Sequence, residues 1–276
     1  MWNQLPTDIQ NIILDFIDPL RYELLDWIDK SKLNWKAFSK NPRAHLMTEY
    51  LGYLDWFWLS RNPDAIQLLE KNIRRVDWST LSRNPNAVHL LENNMNRVDW
   101  WMFSRNPNAI HIIEKHPSKI NWSWLSANPN AIHLLEENLH KVDWFYLSEN
   151  PNAIHLLEKH LDKVNWIMLS ANINAVHILE KHLDKVDWSW LSANPSAIPI
   201  LEKHIDKVDW SALSQNPNAI PLLEKHWAQV VDKVDWFWLS ANPNAIPLLE
   251  KHKDKVNWWN ISRNPSIVKP VFRIKQ

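Results

Sequence analysis

Among 276 residues, 31 Lys and Arg balance 31 Asp and Glu, so the chain has no overall positive field to gather polyphosphates, and nucleic acid is an unlikely partner. The absence of cysteine excludes disulfide frameworks, thiolate metal sites and cysteine nucleophiles, and fits a reducing, intracellular setting. Tight hairpins and phosphate-cradling loops lean on glycine for positive φ; a chain with 20 Trp and one Gly, Gly52, favours helices joined by capped turns instead.

The opening residues lack the basic and apolar regions of a signal peptide, and no run of about 18 apolar residues could span a membrane. The expectation is a soluble, cytoplasmic protein with no membrane partner. Residues 1–32 read as an N-terminal helical cap. Ile9, Ile12, Ile13, Phe16 and Ile17 recur at helical spacing up to Pro19, and a second helical run follows with Leu20, Leu24, Leu25, Trp27 and Ile28. Every solenoid must shield its first apolar face, so a cap is expected on that ground alone.

Residues 33–268 are one unit repeated. Eleven marker tryptophans run from Trp35 to Trp258, spaced by 22 residues in eight of ten steps, with one step of 21 and one of 26. A fixed period of this kind marks a stacked array in which each unit buries its apolar face against its neighbours. The stretch from Val142 to Lys163 is representative. Asp or Asn precedes every marker Trp, as Asp143 precedes Trp144, and caps a short first helix. Trp144, Leu147 and Ser148 share one face of it, and Asn150 before Pro151 ends it, because a residue preceding proline is pushed out of the α region.

Pro199, Pro221 and Pro247 stand where other units carry His. Proline is tolerated in a helix only in the first turn, so these positions belong to the first turn of a second helix, with Asn152 and its equivalents as the expected N-cap. Ala153, Ile154, Leu157, Leu161 and Val164 give that helix its apolar stripe. The 26-residue step, around Trp227 to Val231, adds about one turn and predicts a longer second helix rather than a broken one. Residues 269–276 read as a C-terminal tail.

The fold class is therefore all-α, an α-solenoid of about eleven short helix-turn-helix repeats. A leucine-rich repeat shares the period, but Trp-x-x-Leu steps by three rather than alternating as a strand would. Packing at about 8 to 10 Å per unit predicts a thin superhelical rod with a path of roughly 100 Å.

Chemistry is sparse. Ser and Asn of W-x-x-L-S-x-N recur in all eleven units, which suits bonding between successive turns better than catalysis, a task needing one copy. The histidines fall in two files, one containing His155 and one His160; five positions apart on a helix they diverge by about 140°, so one helix cannot chelate a metal with both. They read as half-exposed packing residues whose protonation near pH 6 loosens the array. No cofactor, metal or catalytic set is expected. The candidate partner-binding residues are the variable positions two beyond the marker: Trp58, Met102, Trp124, Tyr146, Met168, Trp190 and Trp238. They face solvent or a neighbouring unit and have the chemistry of binding hot spots; the alternative is packing between successive first helices.

Two resemblances extend this reading. The D-W-x-x-L-S-x-N-P-N-A-I-H-L-L-E unit resembles short tandem repeats of large DNA viruses and some protists. Leu5-Pro6, Asp8, Ile9, Ile13 and Phe16-Ile17 resemble the opening helix of an F-box, over about 15 residues of a module about three times longer. That resemblance implies docking of Leu5, Pro6, Ile9, Ile13 and Phe16 on a Skp1-like subunit of a ubiquitin ligase, with the repeats choosing a substrate. The expected function is a non-enzymatic protein–protein interaction scaffold. The alternatives are a structural or virion component built from rods joined end to end, and an aromatic platform for single-stranded nucleic acid or glycan.

Overall fold

Asn150 shows how each unit is built. Its side-chain oxygen accepts from the Asn152 amide at 3.0 Å, and its side-chain NH2 donates to the carbonyls of Ser126 and Asn128, one unit back, at 2.9 and 3.0 Å. One buried amide thereby caps its own turn and ties it to the preceding one. The structure, a computed structural model, describes residues 21–271. Leu5, Pro6, Ile9, Ile13 and Phe16 lie outside the described residues.

Each unit opens with a helix of four to six residues, such as Trp144–Ser148, capped by the preceding Asp or Asn; Asp143 accepts from the Phe145 amide at 3.1 Å. The Asn-Pro turn follows, then the second helix, Ile154–Lys159 in this unit, then a short turn into the next cap. The second helix is six residues, about 9 Å, shorter than its apolar stripe suggested. The expected N-cap is also displaced. Asn150 caps the turn, whereas Asn152 reaches back to donate to the Pro129 carbonyl at 2.9 Å. Pro199, Pro221 and Pro247 do sit in first turns, and the insertion yields one continuous helix, Ile220–Val230. Among the described residues none has positive φ, which is why the repeat dispenses with glycine.

Two ladders run through the stack. Each Ser hydroxyl donates to its own marker Trp carbonyl and accepts the cap amide of the next unit, as Ser148 does with Trp144 and Asn165 at 2.7 and 3.0 Å. Leu147, Ala153 and Leu157 and their equivalents form the core between the two helices and are fully buried. The marker tryptophans are only half-buried. Trp144 lies under His160, with ring centroids 5.1 Å apart, and under the Lys163 ammonium at 5.1 Å.

Both ladders continue from the last unit into the first. Asn41 donates to the carbonyls of Asn264 and Ser262 at 2.8 and 3.3 Å, and the Asn34 amide donates to Ser262 Oγ at 2.9 Å. These are the bonds that join the internal pairs of units, with Asn62 alone exchanging the Ser carbonyl for that of Pro42, so the eleven units form a closed ring rather than the expected open rod. Closure requires a turn of about 33° per unit, the small constant rotation that sets curvature in any solenoid. The path of roughly 100 Å becomes a circle about 30 Å across at the first-helix axes. Consecutive first helices pack directly on one another, whereas consecutive second helices stand apart and meet through side chains. The first helices therefore line the inside.

The described residues on the two sides of the repeats meet across the seam; residues 1–20 of the expected cap lie outside the described residues. β1 (Arg21–Leu24) pairs antiparallel with β2 (Val268–Val271), and the Leu25 amide donates to the Ile267 carbonyl at 2.8 Å. Of the helical run expected over residues 20–28, the described part, 21–28, is a strand followed by turns, with Leu24 and Ile28 still buried. Residues 269–271, expected in a tail, belong to β2. Long-range pairing overrides local helical spacing because the strand satisfies backbone groups across the seam. Among the described residues no helix is long and apolar enough to cross a membrane.

Candidate functional site

At 100° per residue, Leu147 and Ser148 turn the first helix's core face toward the second helix, which leaves the positions one, two and five beyond the marker Trp facing into the ring. Arg105 and Glu149 prove that this face is concave: both are fifth positions, two units apart, yet Arg105 Nη2 lies 2.6 Å from Glu149 Oε1, across Ala127.

The fifth positions, read around the ring, are strongly uneven. Arg263, Lys40, Arg61, Arg83 and Arg105 occupy five successive units, a run that is continuous only because the ring closes. The other six positions hold Ala, Gln and the single acid Glu149. Sequence reasoning passed over this row. Its signal is a single repeat position that is cationic in the first four units and the last and nearly neutral between them.

These cations crowd one another. Partial burial, then Arg61 and Arg105, hold the Arg83 guanidinium down to about 10, with Glu149 opposing. Burial and then Arg263 and Arg61 lower the Lys40 ammonium, burial and then Arg105 lower Arg61, and burial lowers Arg263. The aromatic rings of the same face partly compensate. Lys40 sits 3.5 Å over Trp58 and 5.3 Å from Trp259, Arg83 and Arg105 lie 5.6 and 5.1 Å from Trp124, and Arg263 is 5.2 Å from Trp259. A cleft of about 90 Å³ opens between Trp58, Arg61, Arg83 and Met102.

The second positions divide. Trp58, Met102, Trp124, Tyr146 and Met168 are half-buried between neighbouring first helices, with Trp124 stacked on Tyr146 at 5.7 Å. Trp190 and Trp238 are exposed, at 46% and 37%. The position just beyond the marker adds further exposed rings: Phe57, Trp101, Phe145, Phe237 and Trp259. Trp101 is 58% exposed, and Phe237 stacks on Trp259 at 6.0 Å.

On the outer wall His89, His111, His133, His155 and His177 each approach a Glu of the preceding unit at 2.7 to 3.0 Å. The other file sets its rings edge-on or tilted against the marker tryptophans, as His160 does on Trp144. Among the described residues no cluster of three or more His, Cys, Asp or Glu is placed to hold a metal ion. A larger recess, about 920 Å³, borders β1 between Leu25, Ile28, His45, Met47 and Leu68, away from the cationic row.

No family model matches the chain, and neither curated proteins nor solved structures give a match.

Proposed function

We propose that the chain is a non-catalytic binding ring that holds an extended ligand on its inner wall. The observation that carries this reading is the concave row of first helices, where open aromatic rings stand beside crowded cations. The Ser hydroxyl, a nucleophile by type, and the Asn amide that repeat in every unit are occupied in ladder bonds, which supports a scaffold rather than an enzyme. A closed ring has no free stacking ends, which counts against rods assembled end to end.

The test is a panel of oligonucleotides, oligosaccharides and acidic peptides, read by tryptophan emission. The expected result is saturable binding by one class that Trp101→Ala weakens and that substitution of outer-wall residues such as Lys159 leaves intact. Binding insensitive to every inner-wall substitution would remove the reading.

The F-box-like opening supports a second element, a docking handle for a Skp1-like subunit outside the ring. A pull-down with Skp1 that survives Pro6→Ala together with Ile13→Asp would count against it.

A further inference from the structure

Resting on the inner-wall reading, the choice of ligand follows from charge. The chain is neutral overall, but folding segregates its charge: the five fifth-position cations, with Lys36 beside them, converge on one arc of the inner wall, faced only by Glu149 at Arg105 and by Asp55, 3.5 Å from Lys36. Concentrating like charge in a half-buried concave row destabilises the free protein, and a polyanion would relieve that repulsion. Four of the five are arginine, whose planar fork suits phosphate better than lysine does. Interleaved with them are open, flat rings. An acidic peptide would use the cations and leave the rings idle, and a neutral glycan would do the reverse. A strand of nucleotides uses both, since every base offers a π-face and every linkage a negative charge.

We propose that this arc binds single-stranded nucleic acid, with Lys40, Arg61, Arg83 and Arg105 taking backbone phosphates and the rings of Trp101 and Trp259 stacking on bases. Binding is tolerant of sequence, because stacking and phosphate contacts read no base edge. Glu149 limits the arc: it holds Arg105 at one end and repels phosphate beyond it. The ring's inner width, roughly 20 Å between opposing helix surfaces, leaves space for one strand along the wall.

The experiment measures fluorescence anisotropy of a fluorescein-labelled 15-mer oligothymidylate with the full chain, titrated at several salt concentrations. Expected is saturable binding whose logarithm falls against log salt with a slope of about −3, at ~0.7 per phosphate neutralised on a single strand. Lys40→Gln, Arg61→Gln and Arg83→Gln combined should weaken binding at least tenfold and flatten the slope by about 2. Trp101→Ala with Trp259→Ala should weaken it while leaving the slope unchanged. Glu149→Gln should tighten it. The same charge loss on the outer wall, Lys159→Gln, Lys181→Gln and Lys207→Gln, should change affinity less than twofold, and circular dichroism and melting show that each variant is folded.

An equal loss from the outer-wall variant would overturn the proposal. So would polyglutamate competing as well as unlabelled oligothymidylate. If the oligonucleotide fails but another class binds and depends on Trp101, the nucleic-acid assignment falls and the inner-wall reading stands. If no class binds, both fall.

Discussion

Asn41 donates to the Asn264 carbonyl at 2.8 Å, repeating across 223 positions the bond that Asn84 makes with Asn62 across 22, at 3.0 Å. The first unit accordingly treats the last as its predecessor. β1 and β2 clamp the same seam, with Tyr22 opposite Pro270. Proline has no amide to donate, so this pair belongs to a site where backbone groups point away from the partner strand and side chains approach closely. In a chain without native cysteine, Tyr22→Cys with Pro270→Cys should oxidise to an intramolecular disulfide in the monomer. Closing so long a loop should add about 2 kcal/mol or more against unfolding. Non-reducing electrophoresis and melting with and without reductant check this; an open rod would give no intramolecular bond.

The asparagine ladder makes a sharper energetic prediction. Asn150 is fully buried and uses both donors on carbonyls of the preceding unit. Asn150→Ala strips two buried acceptors of their donor and should cost about 3 kcal/mol. Asn150→Asp is nearly isosteric yet places a carboxylate against those carbonyls, so it should be the more destabilising of the two. Urea unfolding ranks the pair, and the opposite order would mean that the amide's donors matter less than its shape.

The period, the first-helix caps and the two-helix unit were legible, because each rests on local chemistry such as Asp143 before Trp144 or Pro199 in a first turn; the cap at Asn150 rather than Asn152 was not. Closure was not. Curvature is set by the difference in width between the inner and outer helix layers, summed eleven times, and no single residue encodes it. The strand at residues 21–24 was equally hidden, since its partner lies almost at the other end of the chain. The inner wall was half legible. The spacing left the second positions open between solvent and a neighbouring unit, and the fold divides them, with Trp190 and Trp238 exposed and Trp58 and Trp124 half-buried, whereas Lys40 and Arg263 become neighbours only once the ring is closed. Overall neutrality then concealed a local excess that a count of charges cannot reveal.

Ile173 offers a stabilising test of the repeat's own logic. It alone stands where ten other units have proline after the ladder Asn, and it is 47% exposed. Asn172 before it already has the extended backbone, φ −73° and ψ 116°, that a residue preceding proline requires. Ile173→Pro should therefore restrict the unfolded chain without straining the folded one, adding about 0.4 to 1 kcal/mol. The unfolding midpoint in urea should rise with an unchanged slope. A fall would show that Ile173 makes a packing contribution that proline cannot replace.

Arg83 tests whether the inner arc is strained in the free protein. Burial first, and Arg61 and Arg105 next, lower its guanidinium to about 10, so folding disfavours the charged form. For a base shifted down, the penalty is present in full below pH 10, where both folded and unfolded chains are charged. It lifts only as pH climbs above about 10, toward the ordinary arginine range. The neutral pH range is therefore uninformative about this group, and substitution is the better probe. Arg83→Gln should raise the melting temperature at low salt. The gain should shrink in 1 M salt, where screening over about 3 Å already separates Arg83 from its neighbours. Arg105→Gln should do worse, because it also abandons Glu149, held at 2.6 Å. A lower melting temperature for Arg83→Gln at low salt would mean that its stacking over Trp124, 5.6 Å away, outweighs the repulsion it suffers.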